Sequence, residues 1–133
     1  MEEIIKIMEE FIKIIDTYYE KYSTYADGKV VFECEFGELI FYKKDTRYIT
    51  IFSICVVPEY RQHGICSNIF KYIIDKNDRQ FKYFMVESVL SKILYEYLLR
   101  FKYNDKKFRL ESCGFIYTFE DLKWDKIYNN NET

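Results

Sequence analysis

The residues best placed to do chemistry follow the only proline in the chain. An apolar run ends at Pro58, and a short polar loop containing Arg61 and Gly64 leads directly into a segment with helical spacing. Where a strand, a tight loop and a helix N-terminus meet, backbone N–H groups converge and the helix dipole adds partial positive charge. The pattern therefore predicts a loop that holds a phosphate group.

The elements that must position this loop begin with an amphipathic helix. Apolar residues recur at three- and four-residue intervals between Glu, Lys and Asp: Ile4, Met8, Phe11, Ile12, Ile15, Tyr18 and Tyr19. This spacing places them on one helical face. We expect that face to pack in the core or against a second copy of the chain.

Strand patterns occupy the chain between this helix and the loop. Residues 30–35 alternate as in a half-buried strand, and residues 38–42 predict a second strand. Residues 48–57 are apolar on both faces, which is typical of a central strand. Pro58 ends this strand because it lacks an N–H and fixes φ.

A helix and further strands are predicted after the loop. Residues 65–75 have helical spacing, and residues 81–87 form another apolar strand pattern. Ser91 is the expected cap of a second helix in this half, followed by a turn at Asn104-Asp105 and two final strands. The order predicts an α/β or α+β fold with strands around two helices.

Length and charge limit the classes of function. The 133 residues predict one domain, with residues 124–133 as a frayed tail. The net charge of -2 comes from well-mixed acidic and basic residues, which gives no sign of a nucleic-acid groove. The apolar runs are too short to span a membrane, and the Met-Glu-Glu start does not resemble a signal peptide.

The cysteines give no pattern for a metal site. The sequence has four cysteines, no CxxC pair and one histidine, so we expect no zinc site. Cysteines scattered among apolar residues are typical of a reducing compartment. We therefore expect a cytoplasmic protein.

Four residues around the loop carry a family resemblance: Val56, Pro58, Arg61 and Gly64, which Cys66 follows. Their spacing resembles the acyl-CoA loop of the GNAT superfamily of N-acetyltransferases, V-x-P-x-x-R/Q-x-x-G-x-G/A, which precedes a helix. The last position departs from that pattern, since a cysteine stands where the family has Gly or Ala. The order of elements over residues 30–119 also resembles that family.

The resemblance implies a GNAT-like mixed sheet, mostly antiparallel, flanked by helices and splayed at the strand that binds acyl-CoA. It implies that backbone groups of three strand residues pair with the pantetheine arm: Ile54, Cys55 and Val56. It also implies that Arg61 belongs to the cofactor site and that backbone N–H groups hold the CoA pyrophosphate: Gln62, His63, Gly64, Ile65, Cys66 and Ser67. No metal is implied.

The resemblance also suggests which residues do the chemistry. A carboxylate must accept a proton from the acceptor amine, and Glu87 at the end of a strand is preferred over Glu33 and Glu35. A tyrosine on the following helix often protonates the departing thiolate in this family. Leu98 stands at that position here, so its neighbour Tyr97 is the candidate, with Tyr95 as a further substitute.

Other residues with reactive side chains receive simpler interpretations. His63 lies in the phosphate loop, so we expect its ring to be solvated or near a phosphate rather than catalytic. Cys55 and Cys66 have no partner pattern for a thiol nucleophile and are expected to be buried as small apolar residues.

The predicted function is transfer of acetyl from acetyl-CoA directly to a primary amine, without a covalent enzyme intermediate. Small GNAT enzymes that acetylate glucosamine 6-phosphate work as dimers, which suggests an amino sugar phosphate acceptor and a homodimer. A protein or peptide amine is the rival acceptor. A different class also remains, namely an acyl-CoA-binding module without activity.

Overall fold

A computed structural model describes residues 2–77, 80–87, 89 and 91–119. The helices are α1 (Glu2–Glu20), α2 (Ile65–Lys76) and α3 (Lys92–Arg100), with single 3-10 turns at Tyr22–Thr24 and Pro58–Tyr60. The strands are β1 (Gly28–Cys34), β2 (Gly37–Lys43), β3 (Tyr48–Val56), β4 (Tyr83–Glu87), β5 (Lys102–Tyr103), β6 (Lys106–Lys107), β7 (Arg109–Glu111) and β8 (Gly114–Thr118). The predicted tail, residues 124–133, lies outside the described residues.

Six strands form one mixed sheet in the order β1-β2-β3-β4-β8-β7. The β3–β4 pair is parallel and the other four pairs are antiparallel, so the predicted mixed, mostly antiparallel sheet is confirmed. Strand β3 is central, as its two apolar faces predicted.

The short hairpin of β5 and β6 was not predicted. Its turn residues Asn104 and Asp105 both have positive φ, 51° and 63°, which matches the twist of a two-residue hairpin turn. The sequence predicted the turn correctly, but two-residue strands are too short to leave a period-two pattern.

The three helices pack on the same face of the sheet. A ring pair joins each helix to a strand: Tyr18–Phe41 (3.9 Å), Phe70–Phe84 (5.7 Å) and Tyr95–Phe115 (5.2 Å). The strand residues share a face because cross-strand neighbours connect them in register: Phe41–Ile51, Ile51–Val86 and Val86–Phe115. In α1 the predicted stripe is largely right, but the buried residues also include Ile7 and Ile14.

The sheet separates between β3 and β4. Their pairing covers Tyr48–Ile51 of β3 and ends at Val86 of β4. Strand β3 continues to Val56, where it is still paired with Gly37 of β2. The second half of β3 therefore has one paired edge and one edge without a strand partner among the described residues, which is the predicted splay.

Candidate functional site

A cleft of about 480 Å³ lies where the sheet separates. Its lining comes from the end of β3, the following loop and the first turns of α2 and α3: Ile54, Cys55, Val56, Tyr60, Arg61, Gln62, Gly64, Ile65, Cys66, Ser67, Ser91, Ile93, Leu94 and Tyr97. Of these described lining residues, only Arg61 carries a charge at neutral pH. Apolar atoms form most of the wall.

The free edge of β3 presents backbone polar groups to the cleft. The Val57 N–H donates to the Phe36 carbonyl at 3.0 Å, which fixes the direction of that residue toward β2. Because successive strand residues point their backbone groups to opposite edges, those of Ile54 and Val56 point toward the cleft. An extended ligand could pair with this edge as an added strand.

The start of α2 leaves its backbone donors open. Gly64 occupies the N-cap position with φ 77°, and no side chain caps the helix. The N–H groups of residues 62–67 have no hydrogen-bond acceptor among the described residues. The first N–H groups of a helix must find partners outside it, and an anion is the partner that the helix dipole favours.

The loop reaches this conformation through two residues with positive φ. Gln62 has φ 66° and Gly64 has φ 77°. A residue with a side chain is strained in this region, whereas glycine adopts it freely. The positive φ is a reason for glycine at position 64 that only the structure reveals.

The opposite wall is the first part of α3, which is capped as predicted. The Ser91 hydroxyl accepts a hydrogen bond from the Leu94 N–H at 3.3 Å. One turn later, Tyr97 faces the cleft and is half-buried. Burial raises the pKa of the Tyr97 phenol, an effect that its interaction with Ser67 partly offsets. The phenol therefore keeps its proton at neutral pH and can donate it.

Cys66 departs from the family pattern without adding a charge to the cleft. Burial raises the pKa of its thiol to about 11, and the neighbouring Cys55 thiol adds to this shift. The side chain is thus a neutral, small apolar group at neutral pH. The expectation of burial was wrong for Cys55, which is exposed at the end of β3.

The structure brings together most of the predicted site residues. Tyr97 and the predicted cofactor-site residues line the cleft, with the exception of His63, which is exposed outside the lining. Glu87 is also outside the lining; it is half-buried, one residue beyond the last β3–β4 pair and opposite Gly114. Glu33 and Glu35 are exposed on and beside β1. The roles of Glu87 and Tyr97 in a reaction stay predictions.

The cleft also contains residues that the sequence did not suggest: Tyr60, Ser91, Ile93 and Leu94. The Tyr60 hydroxyl donates to Glu3 at 2.7 Å, which connects the loop to the start of α1. Ile93 and Leu94 lie four and three residues before Tyr97, so helical spacing from that candidate would have located them. No sequence pattern indicates Tyr60, because its hydrogen bond to Glu3 joins residues that are far apart in the chain.

Two further classes of site are not found in the described part of the chain. Within residues 2–77, 80–87, 89 and 91–119, no group of three or more His, Cys, Asp or Glu side chains could hold a metal ion. Among the helices formed by these residues, none has both the length and the apolar character needed to cross a membrane.

The fold of this chain is similar to those of two solved acetyltransferase structures. No family model matches the sequence, and no curated protein matches it. A provisionally named acetyltransferase from Exiguobacterium sp. 255-15 is 17% identical with a TM-score of 0.46, covering 86% of this chain and 78% of that one. A GNAT family acetyltransferase from Elizabethkingia anophelis, solved with acetyl-CoA bound, is 18% identical with a TM-score of 0.44, covering 80% and 81%. At these values, function must be argued from the chain's own residues.

Proposed function

We propose that the protein is a GNAT-type N-acetyltransferase that moves an acetyl group from acetyl-CoA to a primary amine. The observation that carries this proposal is the pairing of two features in one cleft. The uncapped start of α2 offers N–H groups to an anion, and the free edge of β3 offers backbone groups to an extended amide chain. CoA has both parts in one molecule, a pyrophosphate and a pantetheine arm with two amides.

Each feature would hold one part of the donor. Residues 62–67 would hold the pyrophosphate through their N–H groups, since a phosphate at a helix N-terminus gains from the dipole and from direct hydrogen bonds. Ile54 and the N–H of Val56 would pair with the pantetheine amides. The thioester would then lie farther along β3, toward the point where β4 separates from it.

The transfer needs a neutral amine and a protonated leaving group. An alkyl amine with a pKa near ~10 costs about 4 kcal/mol to deprotonate at pH 7. Glu87, beside the start of the splay, would accept this proton through a water molecule. The neutral amine nitrogen would attack the thioester carbonyl, so that a C–N bond forms and the C–S bond breaks. Tyr97 would give its proton to the departing thiolate, and the second proton lost by the amine nitrogen would pass through water to the Tyr97 phenolate, which leaves the amide and the free CoA thiol.

The acceptor is proposed only as a primary amine. Glucosamine 6-phosphate represents the amino sugar phosphates, and a lysine-containing peptide represents the rival class. Acceptor pockets in such folds are built from loops, which vary independently of the sheet. A homodimer remains the expectation from the resemblance, and a cytoplasmic location remains the expectation from the scattered cysteines.

The test measures binding and turnover separately. The first measurement is the shift of the unfolding temperature with CoA, because a ligand that binds the folded state raises it. The second is thiol release from acetyl-CoA with glucosamine 6-phosphate, a lysine peptide and simple alkyl amines. We expect protection by CoA and amine-dependent thiol release. Protection without release on any amine would favour the inactive binding module, and no protection would contradict both.

A further inference from the structure

The side chain of Arg61 lies along the end of β3 and not toward the open N–H groups of α2. Its Nε donates to the Val56 carbonyl at 2.7 Å, and its Nη2 lies 3.9 Å from the Cys55 sulfur. A charge-assisted bond of this length is strong for its kind. The guanidinium is thus already engaged with the protein.

This bond closes the loop on itself. Within the same six residues, the Tyr60 N–H donates to Val57 and the Arg61 N–H donates to Pro58, at 3.0 and 3.2 Å. The Arg61 side chain adds a third connection, from within the loop back to Val56, the last residue of the strand. The position of the following N–H groups is therefore fixed relative to β3.

The same bond changes what the free edge of β3 offers. The Val56 carbonyl points toward the cleft, and Arg61 occupies it. An extended ligand can then pair with Ile54 and the Val56 N–H but finds the last acceptor of the strand engaged. The pairing that the edge offers an extended ligand is therefore weakest at this residue, the last of β3.

We infer that Arg61 is a positioning residue that acts through the Val56 carbonyl and is not a ligand of the phosphates. This inference rests on the proposed function, because it concerns how the same cleft holds CoA. Arg61 sets the distance between the edge that pairs with pantetheine and the N–H groups that hold pyrophosphate. Its positive charge is incidental to that task.

Three substitutions separate the hydrogen bond from the charge. Arg61→Gln keeps an N–H donor at the same number of bonds from the backbone as Nε, without the charge. Arg61→Lys keeps the charge but has a methylene group at that place. Arg61→Met has neither. Arg47→Gln is the matched control, since Arg47 pairs with Asp45 at 2.8 Å and does not line the cleft.

Binding of CoA and of pantetheine, which has no phosphate, is measured by calorimetry at several salt concentrations. We expect Arg61→Met and Arg61→Lys to weaken both ligands by about tenfold, the factor for 1.4 kcal/mol. Arg61→Gln should stay within about threefold of wild type, and the salt dependence of CoA binding should not change among variants. Unfolding temperatures identify any variant that fails to fold.

Two results would overturn the inference. In the first, Arg61→Lys retains CoA affinity while Arg61→Gln loses it, pantetheine is unaffected, and the salt dependence becomes shallower, as for a phosphate ligand. In the second, Arg61→Gln loses as much affinity as Arg61→Met. Failure of wild type to bind CoA would instead contradict the proposed function itself, so the two failures are distinguishable.

Discussion

Two helices begin at the same cleft, and they differ in whether a side chain caps the N–H groups of the first turn. In both helices the carbonyl of the N-cap residue, Ser91 or Gly64, accepts a helical N–H, and only in α3 does a side chain add to this, since the Ser91 hydroxyl accepts from the Leu94 N–H. In α2, Gly64 has no side chain to offer, and the first N–H groups stay open. A helix that satisfies its own donors cannot offer them to an anion. The start of α2 therefore offers its backbone N–H groups to a ligand, whereas α3 contributes a side chain, Tyr97, to the cleft.

The largest expected effect comes from placing a charge at the open N-terminus. Gly64→Glu puts a carboxylate where the pyrophosphate would lie, and like charges at a binding site cost several kcal/mol. We expect CoA affinity to fall more than about 100-fold and thermal protection by CoA to disappear. The measurement is the unfolding temperature at rising CoA concentration.

Gly64→Ala is the control for backbone strain alone. Its Cβ would meet nothing within 4 Å, but φ is +77°, so we expect a loss of about 1 kcal/mol of stability. Protection by CoA should remain measurable in this variant. Unchanged protection of Gly64→Glu would show that the start of α2 is not the phosphate site.

The next effect concerns the side chain that α3 presents. Tyr97→Phe should lower kcat by about 100-fold while CoA affinity changes little, because general acid catalysis contributes about that factor. The raised pKa of Tyr97 means that its proton is present below that pKa and lost as pH rises through it. Wild-type kcat should therefore not fall on account of this group until pH exceeds ~10.

Tyr95→Phe is the matched control, since its ring packs against Phe115 and does not line the cleft. Equal kcat values for the two variants would remove Tyr97 from the reaction. A pH profile of Tyr97→Phe with the same alkaline limb as wild type would do so as well.

A smaller effect tests whether the donor runs along β3 from the open helix start. Cys55 and Cys113 are both exposed, and Cys55 lines the cleft. Bound CoA should slow alkylation of Cys55 by about tenfold, through occupancy of the site, and leave Cys113 unchanged. Mass spectrometry after timed maleimide treatment provides the rates.

Cys66 provides an internal reference in the same experiment. With a pKa of about 11, only about one molecule in a thousand has the reactive thiolate at pH 8, so its alkylation should be slow with or without CoA. Equal protection of Cys55 and Cys113 would indicate a global change in the protein and not occupancy of the cleft.

The smallest effect comes from removing the cap of α3. Ser91→Ala should lower stability by about 1 kcal/mol, because one helix donor loses its partner. CoA affinity should stay within about twofold if the two helix starts act separately. Chemical denaturation and CoA titration of the same variant measure both quantities. A loss of CoA affinity as large as that of Gly64→Glu would contradict the comparison.

The sequence was informative where a local pattern sets the structure. Pro58, Gly64 and the spacing of the apolar residues after them lie within one strand, loop and helix, so their order alone indicates an anion site. The cap at Ser91 and the turn at Asn104-Asp105 are similarly local. In each case, the residues that determine the conformation are close neighbours in the chain.

Contacts between distant residues, and the choice among equivalent side chains, could not be predicted in this way. The bond from Arg61 to Val56 depends on one rotamer of a flexible side chain. An arginine that is exposed and binds a phosphate would give the same sequence pattern. The distance of Glu87 from the cleft depends on where β3 and β4 separate. That point is set by packing across the sheet and not by a motif.

The pairing of β3 with β4 stops partway along the strand, so the two halves of β3 should differ in their rates of backbone hydrogen exchange. Ile49 and Ile51 are paired with β4, whereas the N–H groups of Ile54 and Val56 face the cleft. In hydrogen–deuterium exchange, the first pair should exchange only through large-scale opening and the second pair rapidly from the native state. Bound CoA would slow the exchange of Ile54 and Val56 to a rate similar to that of Ile49 and Ile51. The exchange of a single peptide from β3 could therefore report donor occupancy.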